Sequence, residues 1–372
     1  MKILIYQPRA SYFTGGGEVY PLQNAIFFSK LGHDVSLLTT KAEFLNESDY
    51  FKIFTKENPK IKIVYLNLDE KFKSIYKKDP GIDWERWDEE SLYVSRLAYQ
   101  YIDKNDFDII AIHNVIDCLA VPFGKKHVLH LHGDPSELNY VCNLVLKHED
   151  NLIAVSENVA KKWENLGCKK GIPICTNAIN QEIFIESNKT RKLDLLFVGR
   201  LIPIKGVQTI LEALKILKEE YSLEPKFRII GQGPYYEELV KLTKEFELNS
   251  QVEFCGLVSQ KKLIESYQSA KLAVLPSFDK EGIMSTLLEA ASCHTPSITT
   301  KGTSMEEFAQ DNKNALLVEP QNARDLAKKI NYLMLNESVR KKIAENANKE
   351  IKENYTWSNK AKQLIEMYNS II

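Results

Sequence analysis

The stretch LDLLFVGRLIPIKG, Leu193 to Gly206, decides how the chain reads. Leu195 to Val198 is a short apolar run without polar alternation, the pattern of a strand buried on both faces of a parallel sheet. It stops at Gly199, and a helical pattern, Val207 to Leu217, follows Gly206. Strand, turn and helix in that order make one βα unit, and ligands of open α/β sheets sit outside the carboxyl ends of the strands. Arg200 and Lys205 fall there. A guanidinium fork and an ammonium point charge suit a diphosphate.

The same alternation runs outward in both directions. Strands are expected at Ile3–Tyr6, Val35–Thr39, Ile61–Leu66, Ile109–His113, Val128–His132 and Asn151–Val155, then at Leu193–Val198, Lys226–Ile230, Val252–Cys255, Leu272–Leu275, Ser297–Thr299 and Leu316–Val318. Amphipathic helices fall between them, among them Glu18–Leu31, closed by Gly32, and Asp88–Asp103. Tyr50 to Trp87 reads as irregular and charged. The polar stretch Gln181 to Lys192 reads as a linker. Two α/β domains of doubly wound, Rossmann-like design follow, residues 1–185 and 186–354, with an amphipathic helix in 355–372.

Downstream, EGIMSTLLEA runs from Glu281 to Ala290. Gly282 permits a tight turn, Ser285 or Thr286 caps the helix that follows, and Leu287, Leu288, Ala290 and Ala291 form its buried face. Backbone N–H groups around Met284 to Leu287 are the open donors of that helix start. Glu281 before the helix and Glu289 inside it suit a ligand with hydroxyls at one end and phosphates in the middle.

These segments, with others, resemble the retaining family 4 glycosyltransferases of the GT-B fold. GGGE (Gly15–Glu18) resembles the family's N-terminal glycine loop and HLHGD (His130–Asp134) its His-bearing strand end. AVSE (Ala154–Glu157) resembles its strand-then-Ser turn, with Ser156 read as a helix cap. VGRLIPIKG resembles the donor diphosphate site, IIGQGP (Ile229–Pro234) the glycine turn under the base, and EGIMSTLLEA the Glu-x7-Glu signature. Their order spans nearly the whole chain.

The resemblance implies two domains facing a cleft, the first for the acceptor and the second for the nucleotide sugar, with the C-terminal helix crossing back onto the first. It implies catalytic roles for His132, Arg200, Lys205 and Glu281. Gly16, Gly17, Gly199, Gly231, Gly233, Met284, Ser285, Thr286 and Glu289 join Arg200 and Lys205 in binding the donor. His113 and His130 compete with His132. Glu18, Asp134 and Asn177 are assigned to the acceptor, and Glu18 alternatively complements the dipole of its helix. TNAIN (Thr176–Asn180) departs from the family's Pro-Asn-Gly-Val-Asp while keeping Asn177, and Met284 replaces a common glycine.

The expected reaction is transfer of a hexosyl group from a nucleoside-diphosphate sugar, with uridine as the expected base. The acceptor is a hydroxyl of a glycan, lipid-linked or small-molecule compound, as in polysaccharide biosynthesis, and configuration is retained. No metal and no cofactor are expected. Two other readings use the same fold: a nucleotide-sugar 2-epimerase, which needs no acceptor, and a non-catalytic sugar-binding or interaction protein. GGGE is not G-x-G-x-x-G, which disfavours a dinucleotide oxidoreductase.

Bulk properties agree with an ordinary globular chain. Its 372 residues are 44% hydrophobic and 27% charged. A net charge of −1 disfavours a nucleic-acid partner. Six scattered cysteines form no metal or disulfide spacing, so a reducing, cytoplasmic setting is expected. No apolar run reaches the ~20 residues of a spanning helix. Peripheral contact with the inner membrane face stays open.

Overall fold

The computed structural model describes residues 1–75, 84–133, 146, 147, 149–187, 190–278 and 282–372, the side chains of 84–87 excepted. The chain divides into two compact units. One is Met1–Thr176 with Trp357–Ile372, and the other is Asn177–Thr356.

Among the described residues the first unit carries six parallel strands: β1 (Lys2–Tyr6), β2 (Asp34–Lys41), β3 (Lys62–Asn67), β4 (Ile109–Ile112), β5 (His127–Leu131) and β6 (Leu152–Ala154). Their order is β3-β2-β1-β4-β5-β6. Strand β1 is central, Ile3 pairing with both Val35 and Ile109. The order reverses between β1 and β4, and such reversals open the crevice that α/β folds use for ligands.

Helix α1 (Gly16–Lys30) packs on this sheet despite holding Pro21. A proline inside a helix removes one donor and orphans the carbonyl four residues back. Here Gln7 Nε2 donates to that carbonyl, Gly17 O, at 3.0 Å. The helix closes with the amide of His33 on Phe28 O and that of Gly32 on Ser29 O, at 3.1 and 3.0 Å. That pair of bonds is a Schellman motif, so Gly32 ends the helix as expected.

The described part of Tyr50 to Trp87 is more regular than its charge suggests. Helices α2 (Asp49–Glu57) and α3 (Glu70–Ile75) flank β3, and Ser48 Oγ accepts from Phe51 N at 3.2 Å. Helix α4 (Trp84–Asp103) then leads to β4. Burial of Phe51, Phe54 and Phe72 outweighs the charge between them. Helix α5 (Glu157–Asn165) follows β6, and Ser156 caps it by accepting from Val159 N at 3.0 Å.

The second unit repeats the design. Its strands are β7 (Leu193–Val198), β8 (Phe227–Ile230), β9 (Val252–Phe254), β10 (Ala270–Leu275), β11 (Ser297–Thr300) and β12 (Leu316–Val318). All pair in parallel in the order β12-β11-β10-β7-β8-β9, so this sheet reverses between β7 and β10. Among the described residues six helices surround it: α6 (Val207–Tyr221), α7 (Tyr236–Glu245), α8 (Gln260–Ser269), α9 (Ser285–Ser292), α10 (Ala323–Leu335) and α11 (Glu337–Asn354). Leu195, Leu196, Phe197, Leu272, Ala273 and Val274 have no exposed surface, as a sheet covered on both faces requires.

The unit boundary lies at Thr176/Asn177, ahead of the 185/186 division expected from polarity. Ile179 N donates to Tyr355 O at 2.9 Å, and Phe184 is 8% exposed inside the second core. Gln181 to Phe184 is therefore part of the second unit and not a linker. The closing helix α12 (Trp357–Asn369) belongs to the first unit and buries Trp357, Ala361, Leu364 and Tyr368 there. Its Tyr368 ring meets that of Phe28 edge-on at 5.6 Å.

Candidate functional site

In the second unit, the loops after β7, β8 and β10 meet at the point where the sheet order reverses. Phe278 N and Ser277 Oγ both donate to Ile204 O, at 3.1 and 3.2 Å. Gly206 has φ +75, and a Cβ there would lie 2.4 Å from Pro276 O. A Cβ on Gly231, at φ +142, would lie 1.8 Å from Gly199 O. Only glycine lets these backbones approach so closely. Gly233 is packed as tightly against Leu201 O.

On this floor Arg200 is exposed and Lys205 half-buried. Both follow the carboxyl end of β7, where the sequence pattern places them. Helix α9 follows the carboxyl end of β10, the strand paired with β7.

The start of α9 differs from expectation. Its N-cap is Met284 and no side chain caps it. Ser285 is the first helical residue, and its hydroxyl bonds the Glu289 carboxylate one turn on. An acceptor four residues away on the same helix face outcompetes the N-cap role for Ser285. The Thr286 hydroxyl is buried with no partner among the described residues. The first intrahelical bond is Leu287 N to Met284 O, 3.0 Å, so the N–H groups ahead of it are open donors.

Glu289 is half-buried, and Tyr267 Oη donates to its Oε2 at 2.8 Å. Burial pushes the Glu289 carboxyl up to about 7, against the hydrogen bonds from Tyr267 and Ser285. Asn177 lies in this unit, and its Nδ2 donates to Ile283 O at 2.9 Å, just ahead of α9. Its amide, which the resemblance assigns to the acceptor, is here bonded to the backbone just ahead of α9. Glu281 lies outside the described residues.

In the first unit, the carboxyl ends of β1, β4 and β5 lead into Gly16, Gly17, Glu18, His113 and His132. A Cβ added at Gly16 or Gly17, in the first turn of α1, would meet nothing within 4 Å, so that side of the turn is open. Glu18 is 3% exposed. Burial raises its carboxyl, while Arg9 and the amides of Glu18 and Gly15 lower it. Its bond to the Gly15 amide is the reach-back of a capping box, so the carboxylate serves the start of α1. Asp134 lies outside the described residues.

The histidines form a stack. His113 Nδ1 lies 3.0 Å from His132 Nε2, and His130 Nε2 lies 2.7 Å from Tyr368 Oη. The His113 and His130 rings stack with centroids 4.7 Å apart, and Tyr20 meets His132 edge-on at 4.9 Å. Burial lowers His132 to about 4 and His130 to about 3, and takes His113 well below its usual value. All three are neutral near pH 7. His130 is turned to the closing helix, which leaves His132, half-buried, as the histidine with an open side.

The chain contains one Asp-x-Asp sequence, Asp106–Asp108, a metal signature in many glycosyltransferases. It precedes β4, at the end of the sheet away from the site. Lys125 Nζ binds Asp106 Oδ1 at 2.8 Å, and Lys2 N donates to Asp108 Oδ2 at 2.6 Å. Both carboxylates are thus committed to a cation or to backbone. No group of three His, Cys, Asp or Glu side chains among the described residues is arranged to hold a metal. No described helix is long and apolar enough to cross a membrane.

Sequence reasoning missed Tyr267 and Arg191. Arg191 binds the ends of α8 and α9 through five bonds, including Nη1 to Tyr267 O at 3.0 Å and Nη2 to His294 O at 2.7 Å. Neither carries a local signal: Tyr267 reads as an ordinary core position of α8, and Arg191 as a linker charge.

Comparison with known proteins agrees with this architecture. Residues 14–182 match Glycosyltransferase Family 4, and residues 179–350 match Glycosyl transferases group 1. An uncharacterized glycosyltransferase of Methanocaldococcus jannaschii is 27% identical, over 67% of this chain and 70% of its own. The N,N'-diacetylbacillosaminyl-diphospho-undecaprenol alpha-1,3-N-acetylgalactosaminyltransferase of Campylobacter jejuni is 26% identical, over 82% of this chain and 78% of its own. Anabaena HepE, solved with UDP and glucose, superposes with a TM-score of 0.76 at 18% identity, covering all of both chains. Two matched families in order, over two sheets that share one strand order, make this chain a member of the family 4 glycosyltransferases of the GT-B fold.

Proposed function

We propose that the chain transfers a hexosyl group from a nucleoside-diphosphate sugar, with a uridine carrier, to a hydroxyl of a glycan, lipid-linked or small-molecule acceptor. The observation that carries this reading is the set around the reversal of the second sheet. Arg200 and Lys205 follow the end of β7, the open amides of α9 supply further donors, and Glu289 offers a carboxylate. Cations and amides suit the diphosphate, and a carboxylate suits the ribose hydroxyls.

In the reaction, the bond between the anomeric carbon and the distal phosphate oxygen breaks. The acceptor oxygen bonds the same carbon, and the acceptor's proton passes to the departing diphosphate. Arg200 and Lys205 stabilise the charge that grows on that phosphate, without a metal. His132, neutral, hydrogen-bonds the transferred sugar, and Glu281 orients it. We assign retention of configuration with front-face attack. The α-linkage in the name of the Campylobacter jejuni relative supports this, as does the UDP and glucose bound by Anabaena HepE for the donor. A role in polysaccharide biosynthesis, a cytoplasmic setting and contact at the inner membrane face belong to the same proposal.

The test is a binding and hydrolysis screen with UDP-, GDP- and ADP-sugars, no metal added, and Arg200→Ala as control. Saturable binding of one sugar nucleotide, with hydrolysis lost in the control, is expected. Acceptor-free epimerisation would replace the transferase by an isomerase, and a chain that binds no sugar nucleotide would overturn the enzyme reading.

A further inference from the structure

Glu289 is held from inside the protein before any ligand arrives. Tyr267 has no exposed surface, and its ring meets that of Phe184 edge-on at 6.3 Å. Its hydroxyl donates to Glu289 Oε2 at 2.8 Å.

The backbone beneath both residues is tied to one guanidinium. Arg191 Nη1 donates to Tyr267 O, Ala270 O and Thr295 Oγ1, at 3.0, 2.7 and 2.9 Å. Its Nη2 donates to Cys293 O and His294 O, at 3.0 and 2.7 Å. Thr295 Oγ1 donates in turn to Tyr267 O at 2.7 Å. Cys293 is the C-cap of the helix that carries Glu289. The carbonyl ends of α8 and α9 are therefore joined, with a cation placed where helix ends favour one. This framework ties together the two helix ends from whose helices the phenol and the carboxylate extend.

We propose that Tyr267 is a positioning residue for the donor's ribose. Resting on the donor reading of this site, it holds one side of the Glu289 carboxylate so that the remaining acceptor positions face the ribose hydroxyls. An ionised carboxylate has about four acceptor positions. The phenol and the Ser285 hydroxyl occupy two of them. A carboxylate fixed in this way gives up little freedom when the diol arrives, which is how a supporting hydrogen bond raises affinity without touching the ligand.

The test compares Tyr267→Phe with the unaltered chain, since phenylalanine keeps the ring and removes only the hydroxyl. Each is titrated with UDP, GDP and ADP and with their 2′,3′-dideoxy forms. The expected result is a loss of about tenfold for the ribonucleotide that the unaltered chain binds, and no loss for its dideoxy form. Equal losses for both forms, or no loss for either, would overturn the role.

In a Glu289→Leu background, where the phenol has no side-chain acceptor left to hold, Tyr267→Phe is expected to add nothing. Leucine also removes the buried carboxylate, so this pair carries the test if the single variant unfolds, and a further loss there would overturn the proposal. An unaltered chain that binds no nucleotide overturns the donor reading itself. One that binds with Tyr267→Phe indistinguishable overturns this role alone.

Discussion

His113 Nδ1 and His132 Nε2 lie 3.0 Å apart in the first unit, so each imidazole fixes the other's tautomer. One ring nitrogen of the pair must donate and the other accept, and burial keeps both neutral. Outside the pair, His113 Nε2 is buried without a partner among the described residues. The open side of His132 is what remains for a substrate.

Burial lowers His132 to about 4, so its charge state is constant from pH 8 to about pH 5. The rate of sugar transfer should show no acid limb near 6.5 from this residue, and His132→Ala should lower turnover across the whole range. A break at pH 6.5 that disappears in His132→Ala would contradict the neutral assignment.

Acid should weaken the first unit. Unfolded, all three histidines take up protons as the pH falls through 6.5, whereas folded His132 waits until about 4 and His130 until about 3, and burial holds His113 well below its usual value. Their contribution is thus present above 6.5 and lost on acidification. Burial raises Asp117 to about 7 and raises Glu18, with the opposite sign: their contribution is present at low pH and lost as pH rises through the folded value. His33 is lowered and His127 raised, so those two oppose each other. Three histidines against at most two carboxyls leave the unfolded chain binding more protons, so the first unit loses stability as the pH falls below 6.5. Calorimetric melts at pH 7, 6 and 5 should show the decline, and a constant melting temperature would refute it.

Gly231→Ala should destabilise the second unit by more than about 3 kcal/mol, because a Cβ 1.8 Å from Gly199 O forces the strand ends apart. Gly16→Ala, with nothing within 4 Å of its Cβ, should shift stability by less than about 1 kcal/mol. Thermal melts of the two variants separate a packing glycine from an open one.

Arg200 is exposed, so Arg200→Ala should leave the melting temperature unchanged. Loss of charge-assisted bonds of about 1.5–3 kcal/mol should weaken a nucleoside diphosphate roughly 10- to 150-fold. Binding of the free nucleoside, measured by calorimetry, should be unaffected. An equal loss for both would place Arg200 away from the phosphates.

Asn177 Nδ2 spans to Ile283 O, and Asn177→Ala should loosen the loop that leads into α9. An unsatisfied buried carbonyl costs about 1–3 kcal/mol. Hydrogen exchange around Met284 to Leu287 should quicken in the variant, while exchange in β1 and β4 of the first unit stays as it was.

The strand and helix pattern was legible because its signals are local. Twelve apolar runs and their glycine stops carry their meaning within a few residues, and all twelve strands lie within two residues or so of the runs that announced them. Arg200, Lys205 and Glu289 were singled out on signals of the same local kind, as residues beside a strand end or a helix start. What needed the tertiary structure was every relationship between distant segments. The boundary at Thr176/Asn177 follows from Phe184 being buried in the second core, which polarity alone conceals. Ser285 reads as a cap until its hydroxyl is seen on Glu289. Tyr267 and Glu289 are 22 positions apart, and Arg191 is more than a hundred from His294. Such pairings depend on packing that no short window of sequence contains. Sequence thus determined which residues could do the chemistry, and the folded chain decided which of them are held in place to do it.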